Sequence, residues 1–183
     1  MSNMPPPPPP GNMPPPPSGM PSTGGVPTSS AGLASWGERV VSYLIDWVIL
    51  IVPIVALYIV AIILGQIASI LGVLVLFAVW LASAAAGIYL MYLNGSTGQT
   101  PGKKVMGLKV VGEETGQVIG GGSGIARGFL HFVDAIICYI GFLFPLWDAK
   151  RQTLADKIIK SVVTSGNPKV DFMTAIKSSL PTK

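Results

Sequence analysis

The chain has 183 residues, of which half are hydrophobic and only 11% are charged, with a formal net charge of +4. Soluble domains carry about 25% charged residues, so this composition argues against a water-soluble globular enzyme. No charged residue lies between Trp47 and Gly102, and a run of that length accommodates two membrane-spanning helices of about 20 residues each. The sequence therefore predicts a small integral membrane protein embedded in a lipid bilayer.

Residues 1–35 are rich in proline, with uninterrupted runs at 5–10 and 14–17. Proline runs favour polyproline II, and a segment with few apolar side chains cannot offset the entropy of ordering. We therefore predict a disordered tail, and we expect it not to be a secretory signal peptide because it lacks a basic region and an apolar core. The tail is either a docking segment for a proline-recognising protein partner or a solvated tether.

Two apolar segments follow, at about 39–64 and 70–93, and each is long enough to cross a bilayer. The turn at 65–69 is too short for a folded loop, so the two spans should form an antiparallel hairpin, with a kink at Pro53. Small side chains let helices approach closely in lipid, and a stripe of them predicts a packing face against the first span or a second subunit. The stripe comprises Ala78, Ala82, Ser83, Ala86 and Gly87.

The next segment is polar and glycine-rich. Short apolar runs at 106–111 and 117–119 flank the turn-forming residues 112–116, which predicts a small cytoplasmic β-hairpin outside the lipid. Residues 120–124 read as a flexible connector, since no Lys-Ser or Lys-Thr follows the glycines as a phosphate-binding loop requires.

A third apolar segment covers 125–147 and is interrupted at Gly141 and Pro145. The loop before it and the tail after it are both rich in lysine and arginine, which places both on the cytoplasmic side together with the N-terminus. A third complete span would put the tail outside. We therefore favour a re-entrant segment, broken near Gly141–Pro145, over a full crossing with an external tail.

The tail contains two further elements. Apolar and basic residues alternate over 154–163 in a pattern typical of an interfacial amphipathic helix. Beyond it, residues 165–183 are expected to form a flexible C-terminal tail.

The chain carries four charged residues in or beside the apolar segments. Arg39 precedes Asp46 by seven residues, and Arg127 precedes Asp134 by seven. Seven residues are about two helical turns, so each pair shares a face; the two pairs form either a weak internal repeat or a coincidence. Asp46 could pair with Arg127, and Asp134 with Arg39. The groups form either an ion or proton site or structural ion pairs, and His131 either relays protons or packs against aromatic residues.

Three ordered sequence blocks stand out between the proline-rich tail and the C-terminal tail: Glu38–Asp46, Gly98–Val111 and Asp148–Val163. Together they resemble the RDD family of bacterial membrane proteins, which is named for one arginine and two aspartates. The resemblance covers about 36–164, and the proline-rich leader is similar to that of actinobacterial members.

On this resemblance, Arg39 and Asp46 correspond to the first arginine and aspartate of the family, and Asp156 to the second aspartate. The chain departs from the family pattern at two positions: Ala155 stands where a histidine commonly precedes that aspartate, and Lys160 where a glycine is common.

The sequence thus predicts an all-α membrane protein with a two-span helical hairpin, a third broken or re-entrant apolar helix and a small β-hairpin. The resemblance implies a multi-pass protein of the bacterial inner membrane whose role is poorly defined, and some relatives are linked to cation/proton exchange. Together with Asp46 and Asp134 in the apolar segments, it leads us to predict a transport-related protein that exchanges cations and protons as a homo-oligomer. The alternative is a membrane scaffold that recruits partners through its proline-rich tail. One cysteine, Cys138, and one histidine give no metal cluster or nucleophile–base set, so we expect no enzyme activity, no cofactor, no metal and no nucleic-acid partner.

Overall fold

The structure is a computed structural model, and it describes residues 32–137 and 139–181. Its main elements are helices, with one small antiparallel sheet at the polar end of the helices. The predicted proline-rich tail, residues 1–35, lies almost entirely outside the described residues.

Helix α1, Trp36–Ile67, begins with a capping box. The side chain of Ser35 accepts a hydrogen bond from the amide of Glu38, and the Glu38 carboxylate accepts one from the amide of Ser35, so two otherwise unpaired amides are satisfied. Helix α2, Ser69–Ser96, follows after a single non-helical residue, Ala68. Both helices are long and apolar enough to cross a membrane, which confirms the predicted two-span hairpin.

The α1–α2 turn is tight because two glycines meet there. A Cβ atom placed on Gly72 would lie 2.6 Å from the Cα atom of Gly65. By contrast, Ala78 and Ala82 are exposed. The predicted packing of the stripe of small side chains in α2 against the first span is therefore wrong at these two positions.

Helix α4, Gly121–Ile136, and helix α5, Ile140–Leu143, form the third apolar segment, which continues into a 3₁₀ turn, Phe144–Leu146. The axes before and after the break differ by 108°. This confirms a third broken apolar helix, although the break falls after Ile136 rather than near Gly141–Pro145.

The chain after the break returns toward the start of α1. The indole N–H of Trp36 donates to the carbonyl of Phe142 over 2.9 Å. The segment therefore brings its far end back to the level at which α1 begins, as a re-entrant segment does.

The prediction of a flexible connector at 120–124 was wrong. These residues form the first turn of α4, which packs on the end of α2. A Cβ atom on Gly124 would lie 2.5 Å from the Cα atom of Gly95, and one on Gly128 would lie 2.5 Å from the Met91 side chain. The glycines recur on one helical face because they permit backbone contact between two helices.

The polar end of the molecule contains the remaining elements. They are helix α3, Pro101–Met106; strand β1, Lys109–Gly112; helix α6, Leu154–Ile159; strand β2, Ser161–Thr164; and helix α7, Phe172–Lys177. The two strands are antiparallel, with Lys109 opposite Thr164 and Gly112 opposite Ser161. A small buried core joins the sheet to the start of the domain, and it comprises Leu33, Ala34, Leu108, Val110, Val111, Val162 and Val163.

Three predictions about this end need correction. The sheet is two-stranded as expected, but the partner of β1 is β2 and not residues 117–119, so there is no local hairpin there. The predicted amphipathic helix over 154–163 ends at Ile159, and its remainder is β2. The predicted flexible tail, 165–183, contains α7. Long-range strand pairing decides the first two outcomes, and a local sequence pattern does not reveal such pairing.

The close contact of α4 with α2 leads to a stability prediction. Gly124→Ala should lower the free energy of unfolding by about 1–3 kcal/mol, because the new methyl group meets backbone atoms that cannot move aside. Gly122→Ala, on the open face of the same turn with nothing within 4 Å, should be neutral or stabilise by about 0.5–1 kcal/mol. Thermal unfolding in detergent micelles measures both variants, and equal destabilisation by the two would contradict the packing described here.

Candidate functional site

The centre of the polar end is the carboxylate of Asp156, which is completely buried. Its Oδ1 accepts hydrogen bonds from Arg127 Nε, at 2.7 Å, and from Ser161 Oγ, at 2.9 Å. Its Oδ2 accepts from Arg39 Nη1, at 2.9 Å, and from the amide of Thr153, at 3.2 Å. Two guanidinium groups from different helices therefore share one carboxylate.

The charges of these arginines decide the ionisation of Asp156. Burial would raise the pKa of this carboxyl, but the positive charges of Arg127 and Arg39 outweigh that effect and hold the pKa well below its usual range. The group is therefore a carboxylate at neutral pH. It is suited to hold helices together and is a poor proton carrier.

The local sequence explains why Asp156 points inward. Thr153 caps α6: its hydroxyl accepts a hydrogen bond from the amide of Asp156, and the Asp156 carboxylate accepts one from the amide of Thr153. The aspartate is thus both a capping residue and an ion-pair partner, and the capping box at the start of α6 orients the carboxylate toward the two arginines.

Asp46 has a different environment. Its Oδ2 accepts a hydrogen bond from Thr100 Oγ1, at 2.5 Å, and its Oδ1 accepts one from the amide of Gly102, at 2.6 Å. A Cβ atom on Gly102 would overlap the carbonyl oxygen of Ser42, so only glycine allows α3 to lie this close to α1. Asp46 therefore fixes the first turn of α3 against the first span.

Asp134 lies at the other end of the site and is also completely buried. A 2.7 Å hydrogen bond joins its Oδ2 to Nδ1 of His131, and its Oδ1 accepts one from the amide of Leu154, at 3.1 Å. The ring of His131 stacks on Phe142, with centroids 5.3 Å apart, and a Cβ atom on Gly141 would overlap the Asp134 carboxylate. This carboxylate thus lies directly beside the break between α4 and α5.

The ion pairs considered from the sequence are not the ones observed. Asp46 does not pair with Arg127, and Asp134 does not pair with Arg39; both arginines bind Asp156 instead. The structure therefore brings Arg39, Arg127 and Asp156 together, and neither of the other two aspartates pairs with an arginine of the described residues.

The two Arg–Asp segments nevertheless have matching environments. Each aspartate accepts a hydrogen bond from an amide in the first turn of a six-residue helix, Asp46 at α3 and Asp134 at α6. A capping threonine precedes each helix, and a residue in the left-handed conformation ends it: Gly107 after α3, and Lys160, with φ of 54°, after α6. The left-handed backbone conformation of Lys160 also explains why glycine, which adopts it without strain, would suit position 160.

The two strands of the sheet are related by the same internal repeat as the two short helices. Thr100 and Thr153 are 53 residues apart, and so are Val110 and Val163, which face each other in the antiparallel pair. Adding 53 to the number of a β1 residue, and subtracting 53 from that of its β2 partner, turns the pair Lys109–Thr164 into the pair Val162–Val111. Both pairs are observed. The internal repeat seen in the sequence thus extends to a short capped helix and a strand, related by a local two-fold axis.

The repeat is broken at one charged position. Lys103 occupies in α3 the place that Asp156 occupies in α6, three residues after the capping threonine. Burial, the nearby charge of Arg127 and that of Arg39 lower the pKa of Lys103 to about 8, against the opposing effect of Asp46 and Asp156.

Nε and Nη2 of Arg39 are buried without a hydrogen-bond partner among the described residues. This agrees with the sharing of one carboxylate between two arginines.

Sequence reasoning missed Thr100, Gly102, Gly141 and Lys103 as members of the site. A usable signal existed for the first two, because a Thr-Pro pair commonly begins a helix and the amide at the second helical position has no partner within the helix. Gly141 carried no such signal. Within 32–137 and 139–181, no three His, Cys, Asp or Glu side chains are grouped so that they could hold a metal ion.

Comparison with known proteins identifies the domain that carries this site. The model of the RDD family matches residues 33–160, which is more than half of the chain and includes Arg39, Asp46 and Asp156. The chain belongs to the RDD family. Its RDD domain is thus the hairpin α1–α2, the broken segment and the short helices whose capping residues build the site.

The RDD domain also resembles individual proteins. A proline-rich antigen homolog of Mycobacterium tuberculosis is 45% identical over 143 residues, which are 72% of this chain and 58% of that protein. The proline-rich antigen of Mycobacterium leprae is 56% identical over 89 residues, 46% of this chain and 36% of that protein. The chain therefore spans little more than half the length of the first of these relatives. No solved structure matches it.

Asp156 gives a second prediction. Asp156→Asn should lower the free energy of unfolding of the RDD domain by about 3–5 kcal/mol, because it leaves two buried guanidinium groups without a carboxylate. In the parent, the carboxylate stabilises the fold fully above the unfolded-state pKa of about 3.9, and this contribution falls as the pH drops below that value. Thermal unfolding between neutral pH and pH 3 measures both effects.

The control for this variant is Asp171→Asn, at the exposed N-cap of α7, where asparagine caps as well as aspartate. It should change stability little and keep the acid dependence. If Asp156→Asn behaves like this control, the shared carboxylate does not hold the helices together.

Proposed function

We propose that this protein takes part in transport across the membrane as a cation/proton exchanger. The observation that carries the proposal is the pair of Asp134 and His131 beside a break in a membrane-embedded segment. Ionisable side chains are energetically costly inside a membrane, and those found in membrane segments commonly mark ion pathways or proton relays. Broken helices supply the unpaired backbone groups that line such sites in many transporters.

The chemistry of the pair suits proton transfer better than that of the other aspartates. The carboxylate of Asp134 is completely buried, while one quarter of the His131 side chain is exposed. Histidine titrates nearest to physiological pH, so it can pass a proton between the exterior and a buried carboxylate. Asp156, held ionised by two arginines, would be the fixed part of the site.

A monomer offers too few crossings for a pathway, so the proposal requires a homo-oligomer. The described chain has two long membrane helices and one bent pair. Ala78 and Ala82 of α2 are exposed, and small residues on a lipid-facing helix permit close packing of a second helix. These residues support assembly through α2.

We place the polar end in the cytoplasm of a bacterial cell, with the protein in its inner membrane and its N-terminus inside. The support is the positive-inside rule. The start of α1, the α2–β1 connection and the segment after the 3₁₀ turn lie at one end of the structure, and this end carries most of the lysines and arginines, including Lys103, Lys104, Lys109, Lys150 and Arg151.

A second candidate function is a membrane scaffold that recruits a protein partner through its proline-rich N-terminus. The support is the run of prolines at 5–10 and 14–17, together with the relatives called proline-rich antigens. In neither proposal does the protein catalyse a covalent reaction.

Ion flux in proteoliposomes tests the first proposal. The parent chain should exchange protons for monovalent cations, detected as the collapse of an imposed pH gradient on addition of sodium or potassium. Asp134→Asn should abolish the exchange because the amide cannot take up a proton, whereas Asp171→Asn, at an exposed position outside the site, should leave it unchanged.

Absence of flux from the folded parent would contradict exchange, and so would equal flux from the Asp134→Asn variant. In the first of these cases, recovery of a partner that requires residues 1–35 would favour the scaffold. Thermal unfolding of each purified protein distinguishes lost activity from lost folding.

A further inference from the structure

The segment after β2 lies beyond the part of the chain that matches the family model, yet it packs closely on the RDD domain. The amide of Asn167 donates to the carbonyl of Gly107. The ammonium group of Lys104 donates to the carbonyl of Ser178 at 2.9 Å and to two serine hydroxyls beside it. The hydroxyl of Tyr89 in α2 donates to the carbonyl of Ser179 at 2.8 Å. Both ends of α7 are therefore fixed to the domain.

These contacts place α7 beside the membrane-crossing helix α1. Phe172, Val41, Leu44, Ile45 and Val48 line a shallow apolar groove with a volume of about 240 Å³. We call this feature the α7 groove. It has no polar lining and opens on the lipid-facing surface of α1, to which its α1 residues belong.

The depth of the groove follows from the geometry of α1. A helix rises about 1.5 Å per residue, so α1, with 32 residues, is about 48 Å long and exceeds the hydrocarbon core of about 30 Å by roughly 9 Å at each end. Val41 and Val48 lie about 8 and 18 Å from the start of the helix by the same rise. A hydrocarbon core centred on α1 would therefore place one end of the groove at the level of the headgroups and the other in the acyl layer.

The remaining surface of α7 is divided in the way an interfacial helix requires. Phe172 and Met173 are exposed, and so is Leu180 just after the helix, although all three are large and apolar. Ala175 faces the protein, and Thr174 is exposed about 200° around the helix from Phe172. A helix with such a division buries its apolar face at the boundary of headgroups and acyl chains.

Charge favours an anionic lipid. Lys169 and Lys177 flank the apolar face and are exposed, while Asp171 is the one acidic side chain of this segment among the described residues. Lysines beside a membrane surface attract anionic headgroups, and the ammonium of Lys104 is already occupied by the carbonyl and hydroxyls at the end of α7.

We propose that the α7 groove binds an acyl chain of an anionic phospholipid, and that Lys169 and Lys177 contact its headgroup. The C-terminal segment is then a membrane-interface anchor that closes over α3. Continuity with the lipid-facing surface of α1 and the two flanking lysines favour a lipid over a second copy of the chain.

Spin labelling of the full chain in vesicles tests this proposal. Single cysteines replace Phe172 or Thr174 in a Cys138→Ala background, and each is labelled with a nitroxide. In vesicles of phosphatidylglycerol and phosphatidylcholine, the label at 172 should collide with oxygen and lie about 5–10 Å below the lipid phosphates. The label at 174 should collide mainly with a water-soluble nickel complex.

The outcomes separate the possible occupants. Equal access of the nickel complex to both labels would overturn the proposal, because the groove would then face water. The proposal would also be overturned if the label at 172 were shielded from both oxygen and the nickel complex and its spectrum were broadened by a second nitroxide. A second copy of the chain would then occupy the groove. Met173→Cys provides an independent label if the Phe172 variant does not fold.

A second comparison tests the headgroup. The label at 172 should move outward when phosphatidylglycerol is replaced by phosphatidylcholine, and the Lys169→Gln, Lys177→Gln double variant should lose this difference. Unchanged depth in the parent across the two lipid compositions would overturn the assignment to an anionic lipid.

Discussion

The polar end of this protein depends on one buried carboxylate. Asp156 accepts hydrogen bonds from Arg39 of α1, Arg127 of α4 and Ser161 of β2, so one side chain joins the first membrane span, the re-entrant segment and the sheet. A buried ion costs several kcal/mol unless it is fully paired, and here four donors meet it. The same contacts explain why Asp156 is ionised and structural, whereas Asp134 contacts a histidine and an amide instead of arginines.

The internal repeat accounts for the topology. Each half consists of a helix with an arginine and an aspartate seven residues apart, a short helix after a capping threonine, and a strand. In the first half 54 residues separate Asp46 from Thr100, enough for two complete spans, whereas 19 residues separate Asp134 from Thr153. The second half is therefore too short for a hairpin that crosses the bilayer, and its helix bends and returns. This brings the basic C-terminal part to the same end as the start of α1.

Sequence reasoning predicted the features that one-dimensional patterns encode. The charge-free run gave the two-span hairpin, the charged and proline-interrupted segment gave the broken helix, and the motif blocks gave the family and Asp156. The partner of β1 was missed because β2 lies about 50 residues away, and the internal repeat was recognised only around the two Arg–Asp pairs. The role of the glycines near Gly124 was missed because a flexible connector and a helix-packing face have the same composition. The hydrogen-bond partners of Asp46 were missed because one of them is a backbone amide.

A double-mutant cycle between Arg39 and Asp156 tests the central claim most directly. The free energy of unfolding is measured for the parent, Arg39→Gln, Asp156→Asn and the double variant in the same detergent. If the shared carboxylate joins the first span to the re-entrant segment and the sheet, the two substitutions should be coupled by about 1.5–3 kcal/mol. Effects that add to within about 0.5 kcal/mol would show that the two residues act independently and would contradict the account.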